Sequence, residues 1–464
     1  MKNDKIILIF LADIVSHYIP TFFFARKLQN FNFKIVFVGN SLNTKKIAED
    51  NGFEYIQILP TETKNVNSNT IGFKVLIKEI LRDRVYRDRR ISLKDILSKT
   101  KPSFILIDIF ASETFIHLSE LAPQIKKFFV CPMLSTYSIS GMPSIRDYDW
   151  KQTTVKGNNK YQRSFSYSFF KVHMANKCIF ALNKVFSWIH CYKAGLLFGK
   201  NSIAWDNKML LTFRNVPEFV LAPESLELSA NVRKSHQVYL GLSLDFSRKD
   251  YPMKEDDRAK FLNTLTAKRI NHNIKIVYVS FGTYFSSAEE YFRVSNFILA
   301  LSECAKYLTD VIFLVAANAK IREVVSGMLS MDRFHIMDQV PQLEVLQNAD
   351  VFLTHGGLSS VKEAIHYRVP MLIYPLDKFW DQNGNSLKIV HHGLGLRGDM
   401  DWDDTSDILE KLNILLKDNN IKENLRNFAK KIEISYSDNF YNEVINHYFS
   451  ETGVNETFSY DFLD

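Results

Sequence analysis

The sequence predicts an α/β protein made of two doubly wound units, and three observations lead to this prediction. Apolar runs of strand length alternate with segments of helical period in both halves of the chain, which is typical of parallel sheets covered by helices. Residues 351–363 read as a strand, a glycine pair and a helix start. The chain has 464 residues, which is long for a single domain.

The first half of the chain supplies the amino-terminal unit. Its predicted strands are residues 6–11, 34–38, 104–108 and 128–130. A helix is predicted over residues 20–29, because Pro20 suits the first turn of a helix, where its missing N–H is not needed. The first apolar run is better explained as a strand than as a signal peptide, since Asp13 and His17 follow it without a small-residue cleavage site. No apolar stretch reaches the roughly 18 residues that cross a bilayer, so we expect a cytoplasmic protein.

The second half repeats this pattern. Its predicted strands are residues 274–280, 311–315, 351–353 and 371–374. Polar and charged residues with Pro252 separate the two halves and indicate a linker. The predicted organisation is a first domain at 1–243, a linker region at 244–273, a second domain at 274–440 and a tail at 441–464. Ligands of such sheets bind beyond the carboxyl ends of the strands, where His17, Asp108, Thr283 and His355 fall.

The charge and composition of the chain indicate which classes of partner it could bind. With 58 basic against 51 acidic residues the net charge is +7, which is mild for this length, and no long basic block indicates nucleic acid. The mixed-charge run at 82–90 is most simply a solvated helix face, with an anionic partner as the alternative. The segment 169–198, rich in aromatic residues and lysines, is predicted to be a core or covering helix pair, with peripheral membrane contact as the alternative.

The glycine turn near residue 356 has the chemistry of a diphosphate site. A helix N-terminus carries free N–H groups and a partial positive charge, and glycines let a ligand approach the backbone. The predicted helix starts at Ser359 and Ser360, with Leu358 between Gly357 and the first serine. His355 and Ser360 would add side-chain hydrogen-bond donors.

Carboxylates and an amide follow at spacings that suit a sugar nucleotide. Glu363 lies one helical turn after Ser359, where it can accept hydrogen bonds from the two hydroxyls of a ribose. Asp381 and Gln382 supply acceptors and an amide for sugar hydroxyls. A strand and helix whose glycines only shape a turn is the structural alternative.

The order His-Gly-Gly, Ser, Glu, Pro and Asp-Gln resembles the donor-binding signature of the UDP-glycosyltransferase family, which includes plant, animal and bacterial macrolide glycosyltransferases. The similarity continues upstream through residues 340–346 and 279–283. It implies a GT-B architecture of two facing Rossmann-like domains, with the acceptor bound mainly by the first and a UDP-sugar by the second. The donor-binding residues that the resemblance implies are Thr283, Gln339, Val340, Gln342, His355, Gly357, Ser359, Ser360, Glu363, Asp381 and Gln382.

The chain departs from the family pattern at several positions. Gln339 stands where relatives usually place the aromatic residue that stacks on uracil, which leaves the base open. The segment 375–382 is about two residues longer than the common spacing between the proline and Asp-Gln. Leu358 and Ser359 replace the Trp and Asn that are frequent in plant members, which favours a bacterial branch.

His17 and Asp108 are the predicted catalytic pair. His17 follows the first strand, where relatives carry a catalytic histidine, and an ordinary imidazole pKa of about 6.5 suits a general base. Asp108 ends an apolar strand, and the matching aspartate of relatives orients that histidine and stabilises imidazolium. The alternatives are a structural histidine, a capping aspartate, and Asp13 as a competing carboxylate.

We therefore expect an enzyme that transfers a hexose from a UDP-sugar to a hydroxyl of a hydrophobic small molecule or lipid, with inversion at the anomeric carbon. Glucose is the first candidate for the hexose. The helix N-terminus, His355 and Thr283 would meet the charge of the leaving diphosphate, so no metal is expected to be required. The Asp-x-Asp strings at 147–149 and 401–403 and the pair at 391–392 lack the pattern of a metal site. A related nucleotide-sugar epimerase or hydrolase, and a catalytically silent nucleotide-sugar-binding partner protein, remain the alternative functions.

Overall fold

A computed structural model of the chain gives the positions of most residues. The described residues are 5–58, 84–137, 142–143, 145, 150–155, 158–163, 178, 181–182, 184–185, 187–189, 191–192, 203–207, 209–214, 216–229, 233–249, 253–282, 288–325, 333–338, 340–377 and 380–450, without the side chains of 84–87, 150–155 and 158–163. Across these ranges, no helix combines the length and apolarity that a membrane span requires.

The amino-terminal domain is built on a parallel sheet. Its described strands are β1 (Lys5–Phe10), β2 (Phe33–Gly39), β3 (Glu54–Gln57), β4 (Phe104–Asp108), β5 (Lys126–Cys131), the antiparallel hairpin β6 (Trp150–Val155) and β7 (Asn158–Arg163), β8 (Glu218–Val220) and β9 (Gln237–Tyr239). Its described helices are α1 (Val15–Asn30), α2 (Leu42–Asp50), α3 (Arg84–Thr100) and α4 (Glu113–Leu121). The strand order is β3-β2-β1-β4-β5-β8-β9, so the chain winds outward in both directions from the central pair β1 and β4, as in a doubly wound sheet.

The carboxyl-terminal domain has the second parallel sheet. Its described strands are β10 (Lys275–Ser280), β11 (Val311–Ala316), β12 (Phe334–Met337), β13 (Val351–Thr354), β14 (Met371–Ile373) and β15 (Gly395–Arg397), in the order β12-β11-β10-β13-β14-β15. The described helices of this half are α5 (Glu255–Ile270), α6 (Ala288–Tyr307), α7 (Ala319–Val325), α8 (Gln342–Leu346), α9 (Leu358–Tyr367), α10 (Gln382–His391), α11 (Thr405–Lys417), α12 (Asn419–Ser435) and α13 (Asp438–Phe449). The prediction of two doubly wound α/β units is confirmed.

The start of α1 differs from the prediction and moves His17 into a helix. The helix begins at Val15, so Pro20 lies inside it rather than in its first turn. Proline there removes its own N–H from the helix ladder, and its ring crowds the carbonyl four residues earlier. Thr21 Oγ1 adds a hydrogen bond to the His17 carbonyl (2.7 Å). Burial of Tyr18 and Phe22, both 0% exposed, outweighs the helix-breaking signal.

Two further segments carry more structure than their composition indicated. Residues 255–270 of the predicted linker form α5, whose Phe261 is fully buried in the core of the carboxyl-terminal domain. Helix α13 spans the predicted boundary at 440 and packs into the core of the amino-terminal domain through six buried side chains, Phe440, Tyr441, Val444, Ile445, Tyr448 and Phe449. The rest of the predicted tail, 451–464, lies outside the described residues.

Buried polar contacts join the two domains. Lys362 Nζ, on α9, donates to the Leu221 carbonyl of the amino-terminal domain (2.7 Å), and burial lowers the pKa of Lys362 to about 7. Lys388, on α10, forms an ion pair with Glu227 (3.2 Å), and both side chains are buried. These contacts fasten the helices of the second domain that flank its glycine turn to the first domain.

Candidate functional site: a cleft between two parallel sheets

The first part of the site is the pair His17 and Asp108. Strands β1 and β4 are neighbours in the sheet, with Phe10 beside Ile107, so the residues that follow their carboxyl ends meet at one edge. His17 lies in the first turn of α1, and Asp108 is the last residue of β4. His17 Nδ1 lies 2.7 Å from Asp108 Oδ2.

Backbone N–H groups hold the Asp108 carboxylate in place. The Ala12 N–H donates to Oδ2 (3.1 Å) and the Phe110 N–H donates to Oδ1 (2.9 Å), and Asp108 is 0% exposed. A carboxylate that receives backbone donors is an acceptor, so Nδ1 of His17 carries the proton toward it and Nε2 is left as a base. Asp108 therefore caps the short turn after β4, as the structural alternative expected, and also orients His17.

Asp13, the competing carboxylate, is engaged elsewhere. Its Oδ1 accepts hydrogen bonds from the Ser41 N–H (3.2 Å) and Thr44 Oγ1 (3.2 Å) at the start of α2. Of the two carboxylates near the end of β1, Asp13 contacts the start of α2 and Asp108 contacts His17.

The glycine turn forms where the sequence predicts it. Strand β13 ends at Thr354, Gly356 has φ +87°, and α9 begins at Leu358 with no acidic residue in its first turn. The Gly356 carbonyl accepts a hydrogen bond from Asn385 Nδ2 of α10 (2.9 Å), which fixes the turn. Ser359 and Ser360 are half-buried. An anion placed there would face helix N–H groups, and the first turn of α9 has no carboxylate of its own.

His355 lies in a slot between two glycines. A Cβ atom at Gly357 would lie 2.6 Å from His355 Nε2, and one at Gly282 would lie 2.8 Å from Cε1. Burial of the ring lowers the pKa of His355 to about 4, although a hydrogen bond with the backbone of Ser280 raises it in part. Among the described residues, Nδ1 of this ring has no hydrogen-bond partner. At neutral pH the imidazole is uncharged, so it can donate a hydrogen bond to a diphosphate but not a full positive charge.

Glu363 is the centre of a buried network that the sequence predicted only in part. Gln342 Nε2 donates to Glu363 Oε2 (2.5 Å) and to Ser360 Oγ (3.2 Å). Arg248 Nη1 donates to Glu363 Oε1 (2.5 Å), and the Arg248 side chain is 7% exposed. Ribose hydroxyls that approach Glu363 would share its carboxylate with Arg248 or displace the Arg248 side chain. Arg248 lies 115 residues away in the chain, and no local motif indicated it.

Gln382 shapes the loop before it. Its Oε1 accepts hydrogen bonds from the N–H groups of Leu376 (2.8 Å) and Asp377 (3.0 Å). Asp381 is half-buried, with Oδ2 accepting from Asn385 Nδ2 (3.0 Å). Burial of the Asp381 carboxyl raises its pKa, while the charges of His17 and of Lys388 act in the opposite direction. Asp381 directly follows Trp380, whose ring centroid lies 5.9 Å from that of Phe110 in the amino-terminal domain.

The remaining predicted donor residues are placed only in part. Val340 is half-buried beside Gln342, whereas Thr283 and Gln339 lie outside the described residues. The aromatic segment 169–198 lies largely outside them as well.

The motifs that could suggest a metal are accounted for where they are described. Asp401 pairs with Arg293 (2.8 Å), and Asp403 pairs with Lys411 (2.7 Å). His392 Nε2 lies 3.1 Å from the Glu227 carbonyl. Over the described part of the chain, no three His, Cys, Asp or Glu residues converge on a common point as metal ligands would. The string at 147–149 lies outside this part.

Known proteins are similar to this chain in sequence and in fold. Residues 270–431 match the family model described as UDP-glucoronosyl and UDP-glucosyl transferase. The chain is 33% identical over 119 residues to the uncharacterized UDP-glucosyltransferase YdhE of Bacillus subtilis, which covers 26% of this chain and 28% of YdhE. It is 26% identical over 319 residues to the putative UDP-glucuronosyltransferase ugt-50 of Caenorhabditis elegans, which covers 65% of this chain and 56% of that protein. The chain thus spans about a quarter to a little over half of the length of these curated relatives.

The fold as a whole has close counterparts among solved structures. The calicheamicin glycosyltransferase CalG4 superposes with a TM-score of 0.64 at 16% identity, covering 98% of this chain and 100% of CalG4. At that identity the likeness concerns the fold, and the similarity to the family comes from the sequence match over residues 270–431. The carboxyl-terminal domain is therefore similar to the UDP-glycosyltransferase family, and the chain as a whole adopts the GT-B fold.

Proposed function

We propose that the protein is an inverting glycosyltransferase that moves a hexose from a UDP-sugar to a hydroxyl of a hydrophobic small molecule or lipid. Glucose is the first candidate for the hexose. The observation that carries the proposal is the hydrogen-bonded pair of His17 and Asp108 (2.7 Å), beside which the ring contacts of Phe110 and Trp380 place the segment that leads to Asp381. A base on one domain and a diphosphate-binding turn on the other are the two halves that glycosyl transfer needs.

The proposed step moves one proton and exchanges one bond. The acceptor O–H gives its proton to His17 Nε2, and its oxygen forms a bond to the anomeric carbon while the bond from that carbon to the diphosphate breaks. UDP leaves with the bonding electron pair. Attack from the face opposite the diphosphate inverts the anomeric centre, and Asp108 stabilises the imidazolium that forms.

The donor would be held by the turn and helix of the second domain. The N–H groups at the start of α9 and the neutral His355 would face the diphosphate, and Glu363 would accept from the ribose. Because the oxygen of Gln382 is used by the loop at 376–377, its amide nitrogen is the group left to donate to a sugar oxygen. None of these steps assigns a role to a metal ion.

The test is to replace Asp108 by asparagine. Asp108→Asn should lower kcat by roughly 100- to 10,000-fold, because the imidazole loses its orienting acceptor and the stabilisation of its charged form. The dissociation constant for UDP, measured by calorimetry, should stay unchanged, since the donor turn lies on the other domain. Transfer from UDP-glucose to a panel of hydroxyl acceptors, with excess chelator present, is the assay.

Asp13→Asn is the matched control, because Asp13 contacts α2 rather than His17. It should leave kcat within a few-fold of the wild type. Equal turnover of Asp108→Asn and wild type would remove the pair from the mechanism. Strict dependence on a divalent metal would contradict the proposed chemistry, and release of free glucose without a glycoside would favour the hydrolase alternative.

A further inference from the structure

An aromatic pair crosses the cleft beside the proposed base. Phe110 follows Asp108 by two residues, and Trp380 directly precedes Asp381. Their ring centroids lie 5.9 Å apart with planes tilted by 38°, and Phe110 also lies edge-on to His17 at 4.7 Å. The rings of His17, Phe110 and Trp380 therefore form a continuous series from the amino-terminal domain to the carboxyl-terminal domain.

Trp380 lies between Pro375 and Gln382. The described residues on either side of it are held by hydrogen bonds: Gln382 Oε1 accepts from the N–H groups of Leu376 and Asp377, Asn383 Nδ2 donates to the Asp377 carbonyl (3.0 Å), and the Trp380 N–H donates to Asp377 Oδ1 (3.3 Å). The Trp380 side chain is 42% exposed. A large apolar ring that remains partly open at the edge of a cleft is available to a ligand.

The position of the base limits where the acceptor can lie. Because Asp108 occupies Nδ1 of His17, the acceptor oxygen must approach Nε2. The carbon skeleton attached to that oxygen then lies next to the imidazole, and Phe110 is the ring that packs on the imidazole. Trp380 continues the same surface on the donor-binding domain, so acceptor and sugar would meet beside it.

We propose that Phe110 and Trp380 form an acceptor-specificity wall that favours acceptors whose reactive hydroxyl is carried by a planar aromatic ring. This inference rests on the proposed function and adds the residues that select its acceptor. Aromatic rings gain from edge-to-face or offset contacts beyond the area they bury, by an amount equivalent to roughly 2- to 12-fold in binding per ring pair. A saturated ring of the same size gains only the burial term.

The experiment compares two acceptors of similar size, a 4-alkylphenol and the corresponding trans-4-alkylcyclohexanol, with saturating UDP-glucose. They differ in ring planarity and in the acidity of the hydroxyl, and comparing the ratio of the two between variants cancels the difference in acidity. Trp380→Leu keeps apolar bulk and removes the ring, whereas Trp380→Phe keeps a ring. The ratio of kcat/KM for the phenol over the cyclohexanol should fall by roughly 2- to 12-fold in Trp380→Leu and in Phe110→Leu, and should be largely retained in Trp380→Phe. The KM for UDP-glucose should not change. Trp402→Leu, at an 83% exposed tryptophan, is the control and should behave as the wild type.

A second readout separates this proposal from the transferase itself. The dissociation constant of the phenol for the UDP-bound protein is measured by calorimetry, and it should weaken in Trp380→Leu whether or not transfer occurs. The proposed wall is contradicted if the ratio of kcat/KM for the phenol over the cyclohexanol is unchanged in Trp380→Leu, which includes an equal loss of kcat/KM for both acceptors. If the wild type transfers sugar to neither acceptor but phenol binding still depends on Trp380, the wall stands and the proposed function fails. If phenol binding is the same in both proteins, the wall fails.

Discussion

At the scale of single residues, the hydrogen-bond partners of a buried carboxyl group decide how well its charged form is stabilised. Asp108 and Glu218 are both 0% exposed. Asp108 receives hydrogen bonds from two backbone N–H groups and lies against His17. Glu218 receives one from Gln237 Nε2 (2.8 Å), and its Oε2 has no hydrogen-bond partner in the described part of the chain. Burial raises the pKa of Glu218 to about 7.

This pKa gives Glu218→Gln a predictable pH dependence. The folded-state pKa lies above the ordinary value of 4.5, so the folded protein binds the proton more tightly, and stability is lost as the pH rises from about 4.5 through 7. Glutamine carries no charge at any pH. The variant should therefore exceed the wild type in free energy of unfolding by about 1–3 kcal/mol at pH 8, with a smaller difference at pH 5.

Denaturant unfolding at the two pH values checks this prediction. Glu323→Gln, at an exposed glutamate, is the control and should change stability by under about 0.5 kcal/mol at both. If Glu218→Gln were less stable than the wild type at pH 8, Glu218 would be charged and well solvated or paired in the folded state.

At the scale of elements, the strand, glycine turn and helix around β13 show why a motif needs glycine at specific positions. Gly356 and Gly282 have φ of +87° and +75°, which favours glycine for the backbone alone. Gly357 has φ −61°, a conformation that any residue adopts. Glycine is needed there because His355 Nε2 occupies the space of a side chain, 2.6 Å from where a Cβ would lie. The motif residues His355 and Gly357 therefore form one packing unit.

Gly357→Ala tests this unit without straining the backbone. The new methyl group should displace the His355 ring and remove a donor from the diphosphate, which weakens UDP binding by about 10- to 100-fold. Calorimetry with UDP measures the change. Gly52→Ala is the control, because Gly52 has φ +79° but no atom within 4 Å of an added Cβ, so it should lower stability and leave UDP affinity unaltered. Wild-type affinity in Gly357→Ala would remove His355 from the donor site.

At the scale of the whole molecule, the chain crosses between its domains more than once. It returns to the amino-terminal domain as α13 after completing the second sheet. Phe449 of this helix is 3% exposed and lies against the rings of Phe24, Phe104 and Phe219. The core of the first domain is therefore completed only by the end of the described chain, which links the stability of the amino-terminal domain to residues that follow the second sheet.

Phe449→Ala should lower the free energy of unfolding by about 3–5 kcal/mol, because it removes a ring from a closely packed aromatic cluster and leaves a cavity. Denaturant titration followed by tryptophan fluorescence measures it. Ile434→Ala, at a side chain that is 69% exposed, should change stability by under about 0.5 kcal/mol. A loss below 1 kcal/mol for Phe449→Ala would mean that α13 is only loosely attached.

Local sequence patterns were sufficient to predict the secondary-structure elements and part of the candidate site. Apolar runs of strand length located β1, β4 and β13, and the strand-end rule placed His17 and Asp108 where ligands of such sheets bind. Their pairing was an expectation from the family resemblance, and the structure places the two side chains in contact. The glycine turn at 356–357 was visible because its residue types have few other uses. The start of α1 was misplaced because Pro20 is a strong local signal that tertiary packing overrides.

The sequence by itself determined the two α/β units, the strand-end histidine and aspartate, and the glycine turn, since each follows from periodicity or from chemistry that is local in the chain. The tertiary structure decided which groups meet across the fold: Arg248 with Glu363, Trp380 with Phe110, and α13 with the first sheet. These contacts join residues that are more than a hundred positions apart, and a contact of that kind leaves no repeating pattern in the neighbourhood of either partner. Packing alone selects it, because only the folded domains bring the two surfaces together.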